Sequence, residues 1–152
     1  PSDVTLPTVS YGNQATPLIF KNGNTTGFQL LSYAGACQSI EFDAGVSTQY
    51  MELVGGTKEV HIIDRNSTGS VVLEAVPIAT KDYFAAALTD TSLGNLTFTH
   101  GTTAGNIVQF ASTKIDIGDV SYTEENGIVM AEIPITACPS TSGNDEFTLI
   151  YK

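Results

Sequence analysis

The segment GTTAGN, residues 101–106, has the composition of a loop that could cradle a phosphate. Such loops bind phosphate when a basic residue and the N-terminus of a following helix point at the anion. Here Gly105 is followed by Asn106 and Ile107, the loop contains no Lys or Arg, and the next residues alternate as in a strand. The segment is therefore predicted to be a turn between two strands, in which the glycines serve backbone geometry.

Two histidines are the remaining candidates for catalysis. His61 lies within the alternating segment EVHIID, and His100 lies beside a turn. Nucleophilic catalysis needs a nucleophile, a base and a group that orients the base. The sequence does not indicate all three together, so we predict no catalytic residues and expect each histidine to be a surface or core residue.

Two acidic turns are candidates for binding a metal ion through oxygen ligands. TEEN contains Glu124 and Glu125, and NDE contains Asp145 and Glu146. Neither has the dense D-x-D-x-D spacing of a strong calcium motif, so solvated turn carboxylates are favoured. We predict no metal site and no cofactor.

The two cysteines do not indicate a metal site either. Cys37 and Cys138 are far apart in the sequence and lie in no CxxC or Cys/His spacing, which argues against zinc. Free, buried thiols are favoured. A single disulfide stays open as an alternative if the protein resides in an oxidising compartment.

Charge argues against tight nucleic-acid binding. Sixteen Asp and Glu residues face six Lys and Arg, giving a net charge of −10, and a negative field repels phosphate backbones. Charged residues make up only 14% of the chain, against roughly a quarter in typical soluble proteins. So neutral a surface suits a subunit that is covered by copies of itself. The sequence has no apolar run long enough for a membrane span, so no membrane anchor is expected.

Short segments of alternating or mixed apolar character, separated by Gly, Asn, Asp and Ser, predict a mainly β protein with about ten strands. Asn22-Gly23 is expected to close a hairpin between residues 18–21 and 28–33. The polar turn at residues 65–68 is expected to close a second hairpin, between EVHIID and GSVVLEAV.

One segment, ATKDYFAAALTDTS, favours a single short helix at about residues 81–89, with Thr80 as its N-cap. In this helix Tyr83, Phe84, Ala87 and Leu88 would lie along one stripe. The length of the chain is that of one ordinary domain. Residues 1–17, which contain three prolines, are predicted to form an extended arm, and residues 18–152 a single domain.

The order and spacing of several motifs resemble the tail tube (major tail) proteins of long-tailed bacteriophages. The resemblance runs from about Phe20 to Lys152. It is carried by five segments, ELVGGTKEVHIIDRNSTGSVVLEA, DYFAAA, GTTAGN, SYTEENGI and SGNDEFTLIYK.

The resemblance implies an antiparallel β-sandwich or barrel of two packed sheets with one flanking helix. It also implies a structural virion protein, assembled in the bacterial host cytoplasm, whose copies form hexameric rings that stack into a hollow tube. Other tail proteins are further expected partners. DNA would pass through the tube during ejection without specific binding, past some of the acidic residues.

Contacts between copies are expected from the arm before Pro17 and from residues 45–57. The interface candidates in the second segment are Tyr50, Met51, Leu53 and Val54. A plain core strand is the alternative for residues 50–54.

Two other classes of protein stay open at this point. A phage decoration, adhesin or receptor-binding β domain would have the same Gly-, Ser- and Thr-rich composition and would form a stable monomer or trimer. An enzyme on a β scaffold would lose its activity when His61 or His100 is replaced by Ala.

Overall fold

The computed structural model describes residues 17–56, 58–89 and 93–152, which form ten strands and one short helix. All the strand pairs are antiparallel. The mainly β fold with one short helix is therefore confirmed. The elements are β1 (Thr25–Leu30), β2 (Cys37–Asp43), β3 (Val46–Glu52), β4 (Lys58–Arg65), β5 (Thr68–Glu74), α1 (Tyr83–Ala87), β6 (Gly94–His100), β7 (Val108–Ile117), β8 (Ser121–Glu125), β9 (Ile128–Ala137) and β10 (Thr148–Tyr151).

Eight of the strands form one sheet that folds over on itself into two halves. The first half is β1-β6-β7-β10 and the second is β2-β5-β9-β8, and β7 pairs with β9 where the halves join. The ring of Phe42 on β2 lies 4.8 Å from that of Phe110 on β7, although β9 and β5 separate these strands along the sheet. The two halves therefore pack face to face, as expected for the sandwich or barrel.

The core lies between these halves and follows the alternation of the strands. On β9, Ile133 and Ile135 are buried, whereas Glu132 and Pro134 are exposed. Burying one such aliphatic side chain stabilises the fold by about 1.5–3 kcal/mol. The largest fully buried apolar side chains are Leu30, Leu73, Leu96, Ile115, Ile133, Ile135 and Val71.

The predicted hairpin at Asn22-Gly23 is wrong, although its turn forms. Gly23 has a φ of +88°, and Asn24 and Thr25 donate their backbone N–H groups to the carbonyl oxygen of Lys21. β1 pairs instead with β6, a strand much further along the chain. That pairing places Leu30 opposite Leu96 in the core, which a hairpin with the short segment before Asn22 could not do.

The second predicted hairpin is also wrong. β4 and β5 follow one another along the chain but do not pair, because β4 pairs with β3 whereas β5 pairs with β2 and β9. The strands β2 to β5 therefore form one long hairpin, in which the chain passes straight through residues 65–68. Its outer part, β3 and β4 with the connecting residues Leu53–Gly56, is a separate two-stranded sheet that we call the ribbon.

The helix is shorter than predicted and has a different N-cap. α1 begins at Tyr83, and the extended residue Asp82 caps it by accepting a 2.8 Å hydrogen bond from the N–H of the third helical residue. Thr80 lies in the preceding turn, too far back to reach the helix. Tyr83 is buried as expected, but Leu88 is 86% exposed because the helix has ended before it.

Candidate interaction surfaces

The glycine-rich loop is a turn that holds the last strand. Gly101 and Gly105 both have positive φ angles, +105° and +87°. The N–H groups of Gly105 and Ile107 donate to the carbonyl oxygen of Lys152 at 2.9 and 3.0 Å. These donors are occupied in holding Lys152 beside β7, and a strand follows instead of a helix, so the predicted turn is confirmed.

His100 has a structural role. Its Nε2 lies 3.2 Å from the carbonyl oxygen of Leu18, and its Nδ1 lies 2.8 Å from the hydroxyl oxygen of Thr25. A carbonyl can only accept, so in the neutral ring Nε2–H donates to Leu18 and Nδ1 accepts from Thr25. Phe20 stacks on the same ring. His100 thereby fixes the segment that precedes β1.

His61 and the acidic turns are placed separately. His61 is exposed on the ribbon, with Nε2 3.9 Å from a carboxylate oxygen of Glu59. Glu125 accepts a hydrogen bond from Gln38 and precedes a hairpin turn, and Asp145 accepts the N–H of Ser140 at 2.7 Å. In the part of the chain that the structure describes, no group of three His, Cys, Asp or Glu residues is arranged to hold a metal ion.

Both cysteines are free thiols and half-buried. Cys37 begins β2 and its thiol lies 3.5 Å from the carbonyl oxygen of Ser39. Cys138 follows β9, and its thiol lies near the carbonyl oxygen of Thr136. Burial raises the pKa of the Cys37 thiol from 9.0 to about 12. Since the thiolate is the reactive form, Cys37 should be unreactive near neutral pH.

The raised pKa of Cys37 predicts that this thiol is alkylated slowly in the folded protein. In a Cys138→Ser variant, iodoacetamide at pH 8 should modify folded Cys37 at least about tenfold more slowly than the same thiol in urea, because the folded state disfavours the thiolate. The same shift stabilises the fold fully below the ordinary thiol pKa, and this contribution is lost as the pH rises from about 9 towards 12. Mass spectrometry of quenched samples measures the rate. Equal rates in folded and unfolded protein would contradict the assignment.

The ribbon is exposed on both of its faces. Every residue of β3 is exposed, and so is every residue of β4 except Arg65. The core-strand alternative for residues 50–54 is therefore not what the structure has. Leu53 and Val54 lie at the tip, where Val54 is fully exposed.

One face of the ribbon is apolar. In the strand register Tyr50 lies opposite Val60, and Thr48 lies opposite Ile62. Directly opposed residues of an antiparallel pair project to the same side, so these four side chains share a face. Val60 and Ile62 are 65% and 68% exposed. Val46 extends this face towards the sheet.

The other face of the ribbon is polar. Gln49 lies opposite His61, and Met51 lies opposite Glu59. The sequence candidates Tyr50 and Met51 therefore project to opposite sides. Val60 and Ile62, which complete the apolar face, were missed by the sequence analysis because EVHIID reads as an ordinary half-buried strand.

The base of the ribbon is fixed to the main sheet by an ion pair. The guanidinium of Arg65 donates to both carboxylate oxygens of Glu146, at 2.6 and 2.7 Å, and also to the side-chain oxygen of Asn144. The hydrogen bonds from Arg65 hold the pKa of Glu146 below its usual range. This contribution to stability is present above the ordinary carboxyl pKa and is lost as the pH falls below it.

The outer face of the second half is acidic. Alternation and register place five carboxylates on the side of this half that faces away from the core, and β2, β5, β8 and β9 contain no Lys or Arg. The five are Glu41, Asp43, Glu74, Glu125 and Glu132. This side of the domain is therefore strongly acidic.

Within residues 17–56, 58–89 and 93–152 there is no helix with the length and apolarity that crossing a membrane requires. What the described residues offer to other molecules is an apolar ribbon face and an acidic sheet face. The described residues therefore form a β-sandwich with a projecting ribbon.

Comparison with known proteins identifies the fold. No protein-family model matches the sequence, and no curated protein matches it. The cap that terminates the tube of the anti-feeding prophage, solved by cryo-EM, superposes with a TM-score of 0.64, covering 96% of this chain and 100% of that chain at 13% identity. The chain therefore has the fold of a tail-tube-related protein, as the sequence resemblance implied.

Two gene transfer agent structures align more weakly. The tail of an empty particle, refined with C6 symmetry, gives a TM-score of 0.45 at 15% identity over 78% of this chain and 83% of that chain. The virion of the native particle gives 0.46 at 16% identity over 77% and 85%.

Proposed function

We propose that this chain is a structural subunit of a phage-type tail tube. Its copies join into rings, six to a ring as the resemblance implies, and the rings stack into a tube that conducts DNA during ejection. The protein belongs to the virion, is assembled in the bacterial host cytoplasm, and contacts other tail proteins at the ends of the tube. The observation that carries this proposal is the ribbon with its uncovered apolar face.

The ribbon needs a partner on energetic grounds. An isolated two-stranded hairpin is marginally stable in water, and both faces of this one are exposed within the part of the chain that the structure describes. Covering each Val, Ile or Tyr side chain would stabilise an assembly by up to about 1.5–3 kcal/mol. A contiguous apolar patch on a projecting element marks an interaction site. The candidates Tyr50, Met51, Leu53 and Val54 all lie on this ribbon, and the candidate arm lies outside the described residues except for Pro17.

The acidic face suits the wall of a DNA channel. This surface carries five carboxylates, among them Glu41 and Glu132, and its four strands contain no Lys or Arg. Such a surface repels phosphates, and its strands have no cationic side chain that could displace the counterions of DNA. DNA would slide past it without being held.

A tube-terminating cap is the second candidate. The structural neighbour that covers 96% of this chain with a TM-score of 0.64 is a cap of this kind. A cap would form one ring that binds the end of a tube and does not add further rings to itself.

Negative-stain electron microscopy and sedimentation of the purified protein at increasing concentration test the proposal. Tubes of variable length identify a tube subunit, whereas single rings that never stack identify a cap. A monomer or trimer that persists at several milligrams per millilitre would overturn both and favour a decoration, adhesin or receptor-binding domain. The number of subunits per ring follows from averaged end views.

A further inference from the structure

The outer face of β1, β6 and the adjoining end of β7 is uncharged, in contrast to the acidic second half; the charged residues of β7, Lys114 and Asp116, lie further along that strand. Register places Thr26 opposite Thr99, Gln29 opposite Thr97, and Gln109 opposite Thr99, all on the side away from the core. Thr148 of β10 adjoins the same surface. We call this surface the threonine face, and its central members are Thr26, Gln29, Thr97, Thr99, Gln109 and Thr148.

One cationic side chain lies at the edge of this face. Lys152 reaches over its edge, where the ammonium donates to the side-chain oxygen of Gln109 at 2.8 Å. β1, β6 and β10 contain no Asp, Glu, Lys or Arg. The threonine face is therefore a neutral to slightly basic area on a chain of net charge −10.

We propose that the threonine face receives the apolar face of the ribbon from a second copy of this chain. The inference rests on the proposed function and names the two surfaces that meet when subunits join. The ribbon of one copy lies flat across β1, β6 and β7 of its neighbour, with Tyr50 and Val60 against the threonines.

Charge decides between the surfaces that a copy could approach. Two chains of charge −10 repel, and the repulsion is greatest where carboxylates of one face those of the other. The threonine face avoids this. The apolar face of the ribbon is also neutral, because Glu52 and Lys58 at its end form an ion pair of 2.7 Å.

Part of the threonine face is already hydrogen-bonded within its own subunit. The hydroxyl of Thr97 donates to the carbonyl oxygen of Gly27, so covering this hydroxyl leaves it paired. Threonine also presents a methyl group, and β-branched side chains on neighbouring strands form a flat surface that suits a second sheet. The polar side of the ribbon, with Gln49 and His61, stays in contact with solvent.

One such contact is small. A seven-residue strand is about 23 Å long, and two strands with their side chains span only ~10 Å in width. This area falls short of the roughly 800 Å² per partner of a stable pair. The contact therefore holds copies together only when it is repeated around a ring or along a stack, which predicts cooperative assembly.

Cross-linking between two variants tests the contact. Both carry Cys37→Ser and Cys138→Ser; one adds Thr48→Cys on the apolar face of the ribbon, and the other adds Thr26→Cys on the threonine face. Mixed under assembly conditions with a short bismaleimide, they should give a heterodimer identified by mass spectrometry. The matched control replaces Thr48→Cys with Gln49→Cys, the adjacent residue on the polar face, and should give at least fivefold less product.

A charge placed on each face gives a second readout. Thr99→Glu should raise the concentration needed for assembly at least tenfold, whereas Thr123→Glu, which adds the same charge to the acidic half, should leave it within twofold. Assembled rings with no excess of the Thr48 product over the Gln49 product would overturn this inference and leave the proposed function intact. A wild-type protein that stays monomeric would overturn both.

Discussion

Val60→Asp should abolish assembly and leave the subunit folded. Val60 is 65% exposed in the isolated chain, so a carboxylate there meets water and costs little. In the assembly the same side chain would be covered, and an unpaired carboxylate taken out of water costs several kcal/mol. Sedimentation velocity and electron microscopy should show monomers at concentrations where the wild type assembles, with unchanged circular dichroism and thermal midpoint.

His61→Asp is the matched control for this result. His61 is the next residue along β4 and lies on the polar face, and its side chain is 49% exposed. It receives the same new carboxylate and the same change in charge under conditions where histidine is neutral. Assembly should persist. If both variants failed to assemble, the effect would be one of net charge and not of the apolar face.

Gly45→Ala should be strongly destabilising. Gly45 has a φ of +57°, and a Cβ at this position would collide with the carbonyl oxygen of Asn66. The backbone of β-sheet and ribbon approach closely here, since Asn66 donates its N–H to the Gly45 oxygen at 3.1 Å. Strain and clash together should lower the free energy of unfolding by more than about 2 kcal/mol.

Gly127→Ala provides the comparison for that loss. Gly127 also has a positive φ, +82°, in the turn between β8 and β9, but a Cβ there would meet nothing within 4 Å. The substitution should therefore cost only the conformational term, about 1 kcal/mol or less. Urea unfolding followed by circular dichroism gives both values. Equal losses for the two variants would show that the close approach at Gly45 is not rigid.

Alternation of apolar and polar residues predicted the strands correctly, whereas the turn signals did not predict which strands pair. From Ala131 to Ala137 the buried residues of β9 alternate with more exposed ones, as the period of two predicts, because one face meets the core. The turn at Asn22-Gly23 was also correct, but its local signal says nothing about the partner of β1. That partner is β6, which lies far along the chain. The pairing brings Leu30 and Leu96 together in the core.

For the interface candidates too, local sequence did not give the residues that lie opposite them. The sequence indicated that Tyr50 and Met51 belong to an exposed contact segment, and the structure places both on the ribbon. Alternation alone would place these adjacent residues on opposite faces, but the sequence could not give their partners, because a register shift after Ser47 decides which residues of β4 lie opposite them. The acidic and threonine faces likewise depend on which strands adjoin, which no single strand reveals.

The joint between sheet and ribbon has a mechanical consequence. Ser67 is buried and donates its hydroxyl to the carbonyl oxygen of Ala44 at 3.1 Å, and Arg65 grips Glu146 beside it. A ribbon anchored at its root in this way passes a force on its strands to the main sheet. In the proposed tube, part of a bending load would therefore reach the core of each copy through this joint.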